Sequence, residues 1–178
     1  MSALIRLATG LTLLAAVLVA VAFALPRHVV VARSIDINAP ESDVFPYVNN
    51  LEKFLTWSPW AAFDPKTVYQ FTGPEQGKGA HMQWKSDHPQ VGTGSQEIVE
   101  SKRNEYVQVA LDFGDMGKAS AHYRLAPSGA GTRVTWGFDT DLGNNPLSRW
   151  MGLMVARGVA QDYERGLERL KKRVEAGG

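Results

Sequence analysis

The stretch 144–174, NNPLSRWMGLMVARGVAQDYERGLERLKKRV, decides the fold. Asn144 and Asn145 offer side-chain acceptors to the first free N–H groups, Pro146 suits the first helical position, and no further Pro follows. One long C-terminal helix is predicted. Met151, Val155, Val159, Tyr163, Leu167, Leu170 and Val174 recur at helical spacing and draw an apolar stripe opposite Arg157, Glu164, Glu168 and Lys172. A stripe of that length needs an apolar surface to cover, and the segment before it is built to supply one.

From Lys66 to Leu142 the chain reads as six strands, about 66–72, 79–86, 94–101, 105–113, 118–126 and 132–142. They are separated by Thr72-Gly73-Pro74, Gly92-Thr93-Gly94, Arg103-Asn104, Gly114-Asp115 and Ser128-Gly129-Ala130-Gly131, all turn formers, which predicts an antiparallel meander. Period-two alternation collects Ala80, Met82, Trp84, Val107, Val109, Leu111, Phe113, Ala121, Tyr123, Leu125, Val134, Trp136 and Phe138 on one face. His81, Gln83, Lys85, His122, Arg124, Arg133 and Asp139 fall on the other. A sheet that is greasy on one side and wet on the other is the partner the helix requires.

Upstream, Val29–Ile37 is rich in β-branched residues and reads as a first strand. Asn38-Ala39-Pro40-Glu41 stops it and opens a short helix, with Asn as cap, Pro at the first helical position and Pro46 expected to break or kink it. Asn49 or Asn50 caps a second short helix through Phe54 and Trp57, ahead of a loop rich in Pro and aromatics. The fold class is α+β.

Leu7 to Pro26 carries no charge. As a helix, Leu7 to Leu25 rises roughly 28 Å, close to the ~30 Å of hydrocarbon that a single span must cross. Ala22-Phe23-Ala24 has the small-x-small pattern of a signal-peptide cleavage site, but the apolar run exceeds the usual hydrophobic core of such a peptide. The reading is therefore an uncleaved anchor, residues 1–28, and one domain, residues 29–178, on a single-pass membrane protein. Arg6 and the amino terminus face Arg27 and Arg33 across the span; this near-balance tips the domain toward the extracytoplasmic side.

Of the 19 Lys and Arg, Arg6 alone precedes residue 27, which leaves 18 to balance 18 Asp and Glu. Such a domain lacks the positive field that phosphate-backbone binding needs, so nucleic acid is excluded as a partner. There is no Cys for disulfides, thiolate metal sites or thiol nucleophiles. His28, His81, His88 and His122 show no metal-ligand spacing, and Gly73 to Gly79 fits no nucleotide-binding pattern; no metal and no cofactor is expected. Arg165, Arg169, Lys172 and Arg173 are interrupted by Asp162, Glu164, Glu168 and Glu175, the pattern of an ordinary salt-bridged surface.

Five motifs in order sharpen the picture: Ile37-Asn38-Ala39-Pro40-Glu41 through Val44-Phe45; Trp57-Ser58-Pro59-Trp60; Gly77-Lys78-Gly79 before the Met82 and Trp84 strand; Gly131-Thr132-Arg133-Val134-Thr135-Trp136; and Gly166-Leu167 with Leu170-Lys171. Over residues 29–175 the chain resembles the SRPBCC superfamily, which includes START-related and birch-pollen-allergen-like proteins, in its polyketide cyclase/dehydrase and lipid transport branch. The resemblance implies a helix-grip fold, a seven-stranded antiparallel sheet wrapped round the long C-terminal helix. It also implies a deep apolar cavity between the two, in which relatives hold lipids, sterols, quinones, polyketides or plant hormones, mostly without transforming them.

The candidate lining for a hydrophobic small molecule or lipid is Trp57, Trp60, Met82, Trp84, Ile98, Leu111, Phe113, Tyr123, Trp136, Phe138, Met151 and Val155. Trp57 and Trp60, beside Pro59 and Pro65, are placed at the rim, and the same aromatics could equally fill a solid core. Polar residues in phase with this face are Tyr123, Thr140 and, beside Ile98, Gln96 or Glu100. No catalytic residue is assigned. A cyclase or dehydratase-like enzyme using Tyr123 or an inward carboxylate, and a protein-interaction module with a closed cavity, stand as alternatives to a binding protein.

Overall fold

The computed structural model describes residues 3–177; Met1, Ser2 and Gly178, included in the expected boundaries, lie outside them. The elements run α1 (Ala3–Ala24), β1 (His28–Ile37), α2 (Glu41–Val48), α3 (Leu51–Leu55), β2 (Val68–Thr72), β3 (His81–Lys85), β4 (Thr93–Lys102), β5 (Tyr106–Asp112), β6 (Lys118–Ser128), β7 (Gly131–Asp141) and α4 (Pro146–Glu175). All seven strands form one antiparallel sheet in the order β1-β7-β6-β5-β4-β3-β2. The meander is consecutive from β2 to β7, and β1 returns to close against β7 over ten paired residues, His28↔Asp141 to Ile37↔Thr132. The α4 helix packs across the apolar face, which is the helix-grip arrangement.

Ion pairs pin the β1 register. Asp36 and Arg133, opposite one another in the ladder, form a bidentate pair at 2.9 and 2.8 Å, and the guanidinium holds the Asp36 carboxyl down at about 2. Exposed pairs of this kind add little stability; their value is in choosing one alignment over a slipped one. The α4 helix runs in the same direction as β1. Gly152 sits at the level of Val29, Glu164 bonds Arg33 at 2.6 Å, Lys171 donates to the Asp36 carbonyl at 2.6 Å, and Glu175 accepts from the Asn38 N–H at 2.8 Å.

Several local expectations are corrected. Pro46 does not break α2, because its missing N–H would have bonded Ser42 in the exposed first turn, where a free carbonyl is solvated. Pro40 is the N-cap residue itself and makes no side-chain cap, and the Asn38 N–H is taken by Glu175. For α3, Asn50 is the cap, accepting from the Lys53 N–H at 2.8 Å, but the helix ends at Leu55. Thr93, read as turn, opens β4 one residue before the expected start at Gly94; Gly94 pairs with Trp84, and the indole lies so close across it that a β-carbon would meet the ring at 2.5 Å. Asn145 caps α4 as expected, accepting from Leu147 at 2.9 Å.

Two glycines on α4 give a matched test. A β-carbon on Gly166 would stand 2.7 Å from Trp136 Cζ3 and 3.2 Å from Pro59 Cδ, whereas one on Gly158 meets nothing within 4 Å. Thermal melts should therefore show Gly158→Ala stabilising by about 0.5–1 kcal/mol and Gly166→Val destabilising by about 1–3 kcal/mol. The same sign for both would mean that α4 does not approach the sheet this closely.

Candidate functional site

Between the sheet and α4 lies a cavity of about 350 Å³. Its wall includes short residues from both layers, Ala119 and Ala121 on β6 and Val155 and Val159 on α4, among larger ones. Beyond this hollow the gap is filled by aromatics centred on Trp136. Tyr163 stacks on its indole at 3.7 Å and 10°, Tyr123 stacks at 5.3 Å, and Trp57, Trp60 and Phe54 meet it edge-on at 5.1, 5.8 and 6.1 Å. Gly166 is what lets the ring lie this close to the helix.

Trp60, Met82, Trp84, Leu111, Phe113, Tyr123, Trp136, Phe138 and Val155 line the cavity. Trp57, Ile98 and Met151 do not. Trp57, expected at the rim, is fully buried behind the cluster, where its indole N–H donates to the Tyr47 carbonyl at 3.0 Å. Ile98 is fully buried in the core, while Met151 is 49% exposed, because Gly152 takes the inward place against Leu142 and Val29 and its neighbour Met151 is turned about 100° from it. Val109, Ala121 and Val159 were in phase with the expected lining and belong to it; Phe54, Met116 and Leu142 come from a short helix and two connections, which carry no periodicity.

The polar candidates separate. A β-bulge between Ile98 and Glu100 reverses the alternation of β4, so Gln96 and Ile98 face inward while Glu100 pairs with Gln108 on the outer face and bonds Lys102 at 3.3 Å. Ser101 turns inward in its place and donates to Asn49 Oδ1 at 2.7 Å. Thr140 is engaged with the Lys118 carbonyl at 2.7 Å. Burial raises the Tyr123 phenol well above its ordinary pKa, and that of Tyr163 likewise, so both stay neutral at physiological pH. Asp162, the lining carboxylate missed in the sequence, is tied to Arg165 one turn on. Gln96 Nε2 and Trp136 Nε1 are buried donors with no partner among the described residues. The site can thus hold an apolar molecule and offers neutral donors, but it pairs no nucleophile with a base among the described residues.

The histidines are dispersed. His81 Nδ1 meets Thr72 Oγ1 at 3.1 Å, His88 stacks on Phe63, and His122 stacks on Tyr106 above Gly137, with burial lowering its pKa. The α1 helix contains one segment, Ile5–Ala24, long and apolar enough to cross a membrane.

A family model described as polyketide cyclase / dehydrase and lipid transport matches residues 28–175. Among solved structures, the chain is similar to Ara h 8.0201, at 13% identity and a TM-score of 0.62, covering 84% of this chain and 99% of that one. It is also similar to a protein from Arthrobacter aurescens (14% identity, TM-score 0.60, 84% and 88% covered) and to Aha1 from Colwellia psychrerythraea (14%, 0.59, 84% and 98%). At these identities the likeness establishes the fold. No curated protein matches the chain in sequence.

Proposed function

Since the chain belongs to the polyketide cyclase / dehydrase and lipid transport family, we propose that it is a single-pass membrane protein. The helix Leu7–Leu25 tethers residues 29–178, and these bind a hydrophobic small molecule or lipid in the cavity. The observation that carries this reading is the hollow itself: about 350 Å³, walled by aromatic and aliphatic side chains, within the ~300 Å³ and upward typical of small-molecule pockets. Its size argues against a closed interaction module. Tethering suits the task, because an apolar ligand partitions into the bilayer and an anchored cup meets it there at high effective concentration. The partnerless donors on Gln96 and Trp136 favour an apolar ligand that bears an acceptor oxygen.

The geometry supports binding over a cyclase-like reaction. Glu100, the carboxylate that could have served as an inward base, is on the outer face, and Tyr123 is held neutral, which suits it to donate a hydrogen bond and not to abstract a proton. Full-length protein extracted in detergent and stripped of lipid should bind members of a labelled panel of quinones, fatty acids and phospholipids saturably, one per chain, with submillimolar Kd. Native mass spectrometry of unstripped protein should show a co-purifying mass. Absence of saturable binding across the panel overturns the proposal.

A further inference from the structure

The antiparallel meander brings the start of β1, the end of β7, the start of β6, the end of β5, the start of β4 and the end of β3 to one end of the sheet. That is the end to which α1 is joined through residues 25–27, and from which α4 departs. The cavity opens there too. Its solvent-exposed lining residues, Gln90, Met116, Gly117 and Lys118, all lie on the β3–β4 and β5–β6 connections or at the first residue of β6.

The outward face of α4 changes character along its length. Leu147, Met151, Met154 and Gly158 fall on one line of the helix; Gln161, Arg165, Glu168 and Lys172 continue the same line. Along this line the first three turns carry no charge, Arg149 and Arg157 lying on other lines, and the later turns are polar. Leu147 is 66% exposed and Met154 68%, and Met116, at the tip of the β5–β6 connection, is 78% exposed. A water-facing helix has no use for such a stripe on one half of its length.

Contacts with α1 set the depth of this half. Trp150 donates its indole N–H to the Leu18 carbonyl at 3.2 Å, and Arg149 donates to the Phe23 and Leu25 carbonyls at 3.1 and 3.3 Å, covering the free acceptors at the end of α1. Leu18 lies six residues before Ala24, about 9 Å down the helix axis. A bilayer that surrounds α1 up to Ala24 therefore also surrounds Trp150 and its neighbours, and an indole at this level is the usual occupant of a membrane interface.

We propose that the first three turns of α4, Leu147 to Gly158, lie in the membrane interface beside α1 together with Met116, so that the mouth of the cavity opens onto the bilayer. This rests on the anchored-binding reading and adds to it a route: the ligand passes between lipid and cavity without crossing water. Two of the charges at this end are engaged, Lys118 by Asp112 at 3.1 Å and Arg149 by the α1 carbonyls, while Arg157 and Asp115 are exposed and keep the segment at headgroup level, where their charges stay solvated.

The chain has no Cys, so single fluorophores can be placed at will. Full-length Met116→Cys, Met151→Cys and Met154→Cys, labelled with an environment-sensitive dye in phosphatidylcholine nanodiscs, should be quenched by nitroxide lipid about fivefold more than Lys172→Cys, and by iodide correspondingly less. Leu11→Cys, within α1, calibrates full immersion. Quenching at 151 and 154 equal to that at 172 overturns the proposal. So does protection of both from lipid and iodide together, which would mean that a protein covers this face. Met151→Asp with Met154→Asp should slow transfer of a dansyl phospholipid from vesicles about tenfold while leaving its affinity in detergent unchanged. If α1 were no anchor, Leu11 itself would escape the nitroxide; if the cavity bound nothing, the dansyl lipid would not be taken up while the quenching pattern still decided where α4 lies.

Discussion

Val109→Phe combined with Ala121→Leu should abolish most ligand binding while leaving the fold standing. The two residues pair across β5 and β6 and both line the cavity, so their enlarged side chains project into the same empty volume. Overpacking a filled core costs about 1–3 kcal/mol, but here the added atoms enter a void, and the change in stability should stay below about 1 kcal/mol. A ligand that loses contact for on the order of eight atoms, at about 0.3 kcal/mol each, binds roughly fiftyfold more weakly. Isothermal titration with the compound that co-purifies measures this. Ala110→Leu, one position along β5 and exposed on the outer face, should leave the Kd unchanged. Unchanged affinity in the filled double variant would place the ligand outside the hollow.

Much of this architecture was legible because it rests on periodicity. Apolar residues at alternate positions of β5, β6 and β7, and at helical spacing on α4, have to share one interior, and the strands lie within about two residues of where alternation places them. The misplacements come from features that periodicity does not encode. The bulge after Ile98 inserts one residue and turns Glu100 from a candidate base into a surface ion pair; nothing local to Ile98-Val99-Glu100 announces it. Met151 is four residues before Val155, but three successive steps of four turn it about 120° away from Tyr163, so Gly152 is the residue in phase with the buried face and Met151 points outward. Trp57 looked like a rim residue from its Pro-rich neighbours and is instead packed behind Trp136, a long-range contact that depends on how α3 folds back onto β7.

The cavity itself was not readable from composition, since the same aromatics could have filled it. Its wall draws on elements distant in sequence, with short residues from both, Ala119 and Ala121 on β6 and Val155 and Val159 on α4, beside the aromatics. The aromatic half and the hollow half of the interior are therefore two parts of one design. Rings from β7, α3 and α4 pack helix and sheet together round Trp136, and this contact is expected also to set their separation over the hollow.

Trp136→Ala tests this division directly. Trp136 is buried on β7 and is the ring shared by Tyr163, Tyr123, Trp57, Trp60 and Phe54, so its removal unties α4, α3 and the sheet at once. Truncating a buried aromatic costs about 3–5 kcal/mol, a third or more of the stability of many domains of this size, and should lower the Tm by roughly 6–20 °C in circular dichroism melts. Trp136→Phe keeps a ring against Tyr163 and should recover most of that loss, but it lacks the indole N–H. If that buried donor serves the ligand, the Phe variant will melt near the parent and still bind an acceptor-bearing ligand about three- to tenfold more weakly. A loss below about 1 kcal/mol for Trp136→Ala would show that the aromatic cluster does not set the spacing between helix and sheet. The hollow would then owe its size to the backbone alone.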